Sequence, residues 1–461
     1  MSPLPPQPVS PLDGRYAAVA APLGEHLSEA GLNRARVRVE VEWLLFLTEH
    51  GAFGTEAPDP EQERELRRFA AEFGADEIAE LAQLEATTRH DVKAVEYLVR
   101  RKLADLGLTS IAELTHFACT SEDINNLAYG ITIRAAVEEI WLPRLRDAIA
   151  ALREIALAER DTPMLARTHG QPATPTTLGK EFAVFVARLE RAAERIAAVE
   201  PLGKFSGATG TFSAHVAADP DIDWPEWSRE FVTSLGLSWN PLTTQIEPHD
   251  WQAELYDAIA HAGRVLHNLC TDVWTYISLG FLTQIPQPGA TGSSTMPHKI
   301  NPIRFENAEA NLEISGALLA SLSATLVTSR MQRDLTDSTT QRNVGVALGH
   351  SLLALDNIVR GLGEVAVARE ALGADLDGNW EVLAEAIQTV IRAEVAAGRS
   401  SIADPYAVLK ELTRGRRVGA DDLRAFVDGL DIGDEAKARL RELTPRGYTG
   451  LASVLVDRLP E

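Results

Sequence analysis

Cysteine is almost missing: Cys119 and Cys270 are the two in 461 residues. A pair of thiols without Cys-x-x-Cys spacing makes no disulfide framework, so buried, reduced side chains in a reducing compartment are expected. Long apolar runs are missing too. No eighteen consecutive apolar residues occur, which removes a conventional membrane helix and any membrane partner. Met1 to Ser10 has four prolines but no basic segment ahead of an apolar core. It reads as a short arm on a cytoplasmic protein, not a secretory signal. Positive charge is in deficit, with 44 Lys and Arg against 66 Asp and Glu and a net charge of -22. Phosphate backbones are held by clustered cations, so a nucleic-acid partner is excluded. An anionic small molecule would need a local cationic pocket. Strand signals are equally thin, and the chain offers one short hairpin, within Gly203 to His215 (GKFSGATGTFSAH), where glycines alternate with aromatics. Its glycines form no phosphate loop, because no Gly-Lys-Ser/Thr follows.

Helix fills the space those absences leave, and the expected fold class is all-α. Leu145, Ile149, Leu152 and Ile155 recur three and four apart, as do Val344, Leu348, Leu352, Leu355 and Val359. Residues 175–200, 251–283 and 303–330 are rich in Ala, Leu, Glu and Arg with few breakers. Five successive long helices predict a bundle, and Pro143 predicts a local kink in the first. A chain of this length holds about two to four domains. Seams near Leu108–Leu114 and Leu372–Asn379 divide it into an N-terminal helical domain at 1–111, a central five-helix bundle at 112–370 and a C-terminal helical domain at 371–461. There is no internal repeat.

Polar residues cluster where a bundle should show a stripe or a short connector. Gly289–Pro302, GATGSSTMPHKINP, is kept from helix by Pro286, Pro288, Pro297, Pro302, Gly289 and Gly292. So long a connection in a bundle is functional or disordered. Ser293, Ser294, His298, Lys299 and Asn301 together favour a lid over residues 286–302 that closes on a substrate. Arg167–Pro175, RTHGQPATP, sets His169 in a turn just before a long helix, flanked by Thr168 and Gln171. A lone histidine is usually structural, and this one has company. In CTSEDINN, Thr120 and Asp123 fit a capping box, while Ser121, Asn125 and Asn126 are left over. TTRHD, from Thr87, starts another helix with Thr88 and Asp91 at capping spacing and His90 between. RMQRDLTDSTTQR, from Arg330, puts Arg333, Ser338 and Arg342 in a polar interruption that suits a phosphate or, equally, a solvated turn. Arg15 and Tyr16 of SPLDGRY are out of place in a mere arm. His90, His169 and His298 lack i, i+4 partners and no His-Glu-x-x-His occurs, so no metal is expected. Nor is there a Gly-x-Ser-x-Gly elbow. Serine, histidines and lysine without a metal suggest proton transfer by side chains.

The loop GSSTMPHKINP resembles the signature of the fumarase and aspartase superfamily. With SPLDGRY, HDVKAVEY, HFACTSEDINNL, RTHGQPATP, TTQIEPHD and RDLTDST in order, the chain is similar to its adenylosuccinate lyase branch, of the longer bacterial type, from about Ser10 to the C-terminus. The resemblance implies a three-domain helical fold, a homotetramer with active sites shared between subunits, no cofactor, and elimination of fumarate from succinylated purine nucleotides. It also implies roles. Ser293 corresponds to the general base and His169 to the general acid, and Lys299 and His90 complete the catalytic set. Lys299 and Asn301, with Thr120, Ser121 and Thr168, correspond to groups around the carboxylates. Gln245, Arg15, Tyr16, Arg333, Ser338 and Arg342 correspond to nucleotide and substrate contacts, with Asp91 and Arg89 beside His90. Arg89 departs from the asparagine of the family pattern. Anti elimination needs base and acid on opposite faces of the bond, hence from separate segments. Lys299 and closure of the loop would lower the pKa of Ser293, an otherwise poor base. The alternatives are another fumarate-releasing lyase of the superfamily, such as argininosuccinate lyase, or a catalytically silent scaffold.

Overall fold

The computed structural model describes residues 8–287, 289, 296, 299–413 and 418–459. The chain begins with α1 (Ala17–Leu27), α2 (Glu29–Glu49), α3 (Pro60–Ala71), α4 (Ala75–Thr88) and α5 (Asp91–Asp105). Then come α6 (Ser121–Ala135), a π turn over Ala136–Trp141, and α7 (Leu142–Ala158). Strands β1 (Pro163–Thr168) and β2 (Gln171–Thr177) lead into α8 (Leu178–Ala197). Short elements follow: β3 (Leu202–Gly203), α9 (Ser213–Ala218), α10 (Trp224–Ser234) and β4 (Ser238–Trp239). After them run α11 (Asp250–Ser278), β5 (Leu282–Gln284), α12 (Ile303–Leu326), α13 (Thr336–Gln341), α14 (Val344–Gly363) and β6 (Val365–Val367). The chain closes with α15 (Arg369–Asp377), α16 (Ala384–Ala396), α17 (Pro405–Thr413), α18 (Ala420–Asp428), α19 (Asp434–Arg441) and α20 (Ala452–Val456).

The all-α expectation holds, since strands among the described residues form only three two-stranded pairings. The five expected long helices are α7, α8, α11, α12 and α14. Their stripes are buried as the periodicity requires: Leu145, Ile149 and Leu152 on α7, and Val344, Leu348, Leu352 and Leu355 on α14. Pro143 is accommodated by the π turn just before it. Widening the helix there relieves the clash between the pyrrolidine ring and the preceding turn.

Contacts divide the chain into two compact units. One comprises Met1–Arg146, Ala192–Leu266 and Ala308–Asp356; the other comprises Asp147–Arg191, His267–Asn307 and Asn357–Glu461. In the first, α2 is the organising element. Ser28 caps it by accepting the Gly31 amide at 3.0 Å. Trp43 packs edge-on to Phe205 at 4.5 Å between centroids, with Phe231 at 5.0 Å. Val95 and Leu98 of α5 and Ile124 and Leu127 of α6 join the same core. The second unit has a core of Leu383, Ile387, Ile391, Leu423, Val427 and Leu440, from α16, α18, α19 and the turn before α16.

Three local expectations need correction. Gly203–His215 is not a hairpin: β3 pairs in parallel with β4, and the rest is a loop leading into α9. Gly207 (φ 80°) and Gly210 (φ 76°) serve tight turns there, and a Cβ on Gly210 would sit 2.2 Å from the Thr243 carbonyl oxygen. The real hairpin is β1–β2, in the segment read as a turn before a helix. His169 (φ 54°) and Gly170 (φ 75°) form its two-residue turn, closed by the Thr168–Gln171 pair. At the start of α5, His90 and not Thr88 is the cap: its Nδ1 accepts the Lys93 amide at 3.2 Å, while α4 runs on through Thr88. Arg89, at φ 55°, makes the left-handed link between the two helices.

Candidate functional site

The start of α6 is built from a carboxylate. Asp123 accepts the Thr120 amide at 2.7 Å, which is the capping interaction expected from the spacing. Its other oxygen takes the Ser206 amide at 2.8 Å, the Gly207 amide at 3.2 Å and the Lys204 ammonium at 2.7 Å. Lys204 and Asp123 are both 0% exposed. Lys204 also donates to the Gly207 carbonyl at 2.7 Å, and Asn126 exchanges hydrogen bonds with the Lys204 backbone at 2.7 and 2.8 Å. The leftover polarity of Asn126 is therefore structural. It fastens the helix start bearing Thr120 and Ser121 to the loop at 204–207.

Upstream, His116 (φ 58°) and Ala118 (φ 55°) are held in left-handed conformations. Glu40, buried on α2, clamps this turn by accepting the His116 amide at 3.0 Å and its Nδ1 at 2.6 Å. Burial pushes the His116 pKa down, but Glu40 outweighs it, so the imidazole titrates above its ordinary value. Three residues along α2, the indole of Trp43 donates to the Phe117 carbonyl at 3.1 Å.

From there a polar chain links four of the expected segments within the first unit. Arg36 of α2 pairs with Asp91 at 2.9 Å and donates to Asn125 at 2.9 Å. Asn125 donates to Glu122 at 2.7 Å, and Glu122 receives Arg333 at 2.9 Å. Arg333 donates to Gln245 at 3.2 Å, and Gln245 donates to the Ala208 carbonyl at 3.1 Å. At the other end, Arg342 lies 3.4 Å from Asp91 and 2.8 Å from Glu29. Arg342 also lines a cavity of about 170 Å³ together with Ser10, Asp13 and Ser28, which brings the SPLDGRY segment beside it. Arg15 is exposed and stacks over the Tyr16 ring at 5.9 Å. The Ser338 amide is taken by Asp337 at 2.6 Å, and His90 and Arg89 stand exposed at the mouth of α5.

Perturbed groups crowd around this chain, as they do at functional sites. Burial raises the pKa of Glu122 against the opposing pull of Arg333. Burial lifts Glu247, two residues beyond Gln245, to about 7. Burial and the nearby Arg333 depress His249 to about 4. Burial also pushes up Tyr129, to about 12. Asp91 goes the other way: desolvation raises it, but Arg36 and Arg342 overcome that and hold it below the usual carboxylate range.

In the second unit, His169 projects exposed from the tip of the β1–β2 hairpin with Thr168 beside it. The hairpin is braced just below its tip, where Arg167 pairs with Asp375 at 2.8 Å and stacks over Phe281 at 5.4 Å. Lys299 is exposed, with its amide on the Met296 carbonyl at 3.0 Å, and Asn301 is half-buried. Ser293, Ser294 and His298 lie outside the described residues. Sequence reasoning missed Arg36, Glu40 and Lys204.

A family model described as lyase matches residues 14–313, and one described as adenylosuccinate lyase C-terminal matches 329–449. The chain is 48% identical over 454 residues to an adenylosuccinate lyase of Escherichia coli (strain K12), covering 98% of each chain. It is 47% identical over 459 residues to one from Vibrio cholerae, again with 98% of each covered. Among solved structures, it resembles a fumarate lyase from Mesorhizobium sp. BNC1 at a TM-score of 0.75 and 21% identity, over 95% of this chain and 97% of that one. A 3-carboxy-cis,cis-muconate lactonizing enzyme from Pseudomonas putida gives 0.74 at 22%, over 95% and 96%. These two share the fold.

Proposed function

The chain belongs to the adenylosuccinate lyase family, a branch of the fumarase and aspartase superfamily, and we propose that it eliminates fumarate from adenylosuccinate to give AMP. The carrying observation is likeness to adenylosuccinate lyases along 98% of the chain. The second substrate we assign is the succinylated aminoimidazole carboxamide ribotide of purine synthesis, which carries the same succinyl-nitrogen bond.

His169 is the acid in this reading. A braced hairpin tip presents its imidazole to solvent, where it can hand a proton to the departing nitrogen. Ser293 is the base that takes the proton from the succinyl carbon. Removing that proton drives charge onto the neighbouring carboxylate, so Lys299, Asn301, Thr168 and the amides at Thr120 and Ser121 serve as stabilisers. His90 joins the catalytic set. Arg15, Tyr16, Arg89, Asp91, Gln245, Arg333, Ser338 and Arg342 form the nucleotide side. Of the two arginines there that lie on the polar chain, Arg342 is the anion contact better placed to turn, because its partner Glu29 is solvated whereas Arg333 is held by the buried Glu122 and by Gln245.

Three further parts complete the reading. They are the division into domains at 1–111, 112–370 and 371–461, a homotetramer with shared sites, and a cytoplasmic setting. No described helix is long and apolar enough to cross a membrane. The deciding experiment follows ultraviolet absorbance on mixing the protein with adenylosuccinate, with AMP and fumarate identified by chromatography. An unchanged spectrum at stoichiometric protein would refute the assignment in favour of a silent scaffold; turnover of argininosuccinate in its place would transfer it to the sister activity.

A further inference from the structure

Arg342 is the most exposed cation of the polar chain, at 44% of its side-chain surface, and it faces two carboxylates, Glu29 and Asp91. A guanidinium claimed by both would have little to offer an incoming anion. Asp91, however, is shared. The oxygen that lies 3.4 Å from Arg342 lies 2.9 Å from Arg36, and the other oxygen accepts the Val92 amide at 2.9 Å. Arg36 is 4% exposed and is fixed from two more sides, by Asn125 at 2.9 Å and Asn33 at 2.8 Å. A side chain that deep reaches no substrate. Glu29 is 80% exposed, and such a pair holds its partner weakly in water.

We propose that Arg36 is a positioning residue: as the standing counter-ion of Asp91 it keeps the hydrogen bond from Arg342 to that carboxylate long, at 3.4 Å, leaving Arg342 able to turn to an anionic group of the substrate. The assignment rests on the reading of Arg342 as an anion contact. Its mechanism is competition for one oxygen. With Arg36 in place Asp91 is neutralised from the protein side; without it, Arg342 is the nearest cation and closes onto it.

The test measures how fast phenylglyoxal modifies Arg342 in the ligand-free protein, by peptide mass spectrometry, and so needs no turnover. Arg36→Met is expected to slow modification several-fold, Arg36→Lys to stay near wild type, and Arg36→Met with Asp91→Asn to recover. Should Arg36→Met not fold, Asp91→Asn alone is expected to speed the reaction above wild type. Equal rates in wild type and in Arg36→Met, or in wild type and Asp91→Asn where Arg36→Met does not fold, would overturn the proposal. With adenylosuccinate, Arg36→Met should raise KM by about tenfold, the scale of one charge-assisted hydrogen bond, with kcat little changed; a fall in kcat at constant KM would also overturn it. A wild type that modifies as expected but turns over no adenylosuccinate would instead count against the proposed function.

Discussion

Lys204→Met tests whether the start of α6 is held by a buried ion pair. The substitution keeps the length of the side chain and removes its charge, leaving Asp123 with three amide donors, from Thr120, Ser206 and Gly207, and no counter-ion. Taking one partner from a buried pair typically costs about 3–5 kcal/mol, because the other charge is stranded in low dielectric. The lost bond to the Gly207 carbonyl adds about 1 kcal/mol. With a urea dependence of about 3 kcal/mol per molar, the midpoint should fall by roughly 1–2 M. The assay is urea unfolding followed by far-ultraviolet circular dichroism at one fixed protein concentration. Lys204→Met with Asp123→Asn should recover part of the loss, since no charge is then left buried. A midpoint within about 0.3 M of wild type, equivalent to less than roughly 1 kcal/mol, would refute the view that this pair holds the helix start.

Four other outcomes are expected. His169→Ala should lower turnover by roughly 10² to 10⁴ with an unchanged circular dichroism spectrum; near-normal turnover would remove His169 from the mechanism. Lys299→Met should move the limb of the kcat/KM profile on which activity rises with pH to higher pH, and an unmoved limb would end the claim that Lys299 activates the base. Burial depresses His215 to about 4, so its imidazole stays neutral in the fold while the unfolded chain takes up a proton below about 6.5. Its contribution is therefore complete above about 6.5 and is lost as pH falls toward 4, a swing on the order of 3 kcal/mol. His249 has the same sign and Glu247 the opposite one. His215→Leu should flatten the decline of urea midpoints between pH 6.5 and 4.5; an identical slope would contradict the burial argument. Gly179→Ala would press a Cβ to 2.4 Å from the Ala156 carbonyl oxygen and 2.5 Å from the Arg160 nitrogen, both backbone. Neither can step aside as a side chain would, so a loss of about 1–3 kcal/mol or more is expected from unfolding titrations; wild-type stability would show that α8 can shift away from α7.

Legibility divided along physical lines. The stripes of α7 and α14 are written in single residues at helical spacing, and burial followed them except at their last members, Ile155 and Val359, which are half-buried. The Thr120–Asp123 box was also legible, because capping is a local contact over three residues. The hairpin at His169 was readable in principle: the left-handed His-Gly pair is flanked by Pro163–Thr168 and Gln171–Thr177, but Pro172 and Pro175 speak against strand. They are tolerated because both strands of a two-stranded ribbon are edges. At 203–215 the error ran the other way. Glycines placed there for close approach and left-handed turns imitated strand punctuation. Arg36 and Glu40 were hidden by their own neighbourhood, Arg34 to Glu42, where charged and small apolar residues alternate at a strand's period. That stretch is nonetheless the middle of α2, with Arg36 and Glu40 buried and Arg38 exposed. Its partners Asp91, His116 and Asn125 come from 55 to 89 positions away, a separation no local pattern encodes.

The arrangement answers a problem set by the composition. A chain with net charge -22 repels the anion its family handles, so positive charge must be local. Yet in the first unit Arg36 faces Asp91, Lys204 faces Asp123, Arg333 faces Glu122 and Arg342 faces Glu29. Each of these four cations is matched by a carboxylate, and the matched set offers no surplus. An anion gains from such a set only where exchanging one partner for another is cheap. Exchange at Lys204 would strand the fully buried Asp123, at Arg36 the half-buried Asp91, and at Arg333 Glu122, which is buried as well. At Arg342 the partners given up are Glu29, solvated and able to turn into water, and Asp91, which keeps Arg36. The first three pairs, each with at least one buried partner, therefore hold the segments in place, and the fourth, at the surface, is the one the proposed reading gives to the substrate.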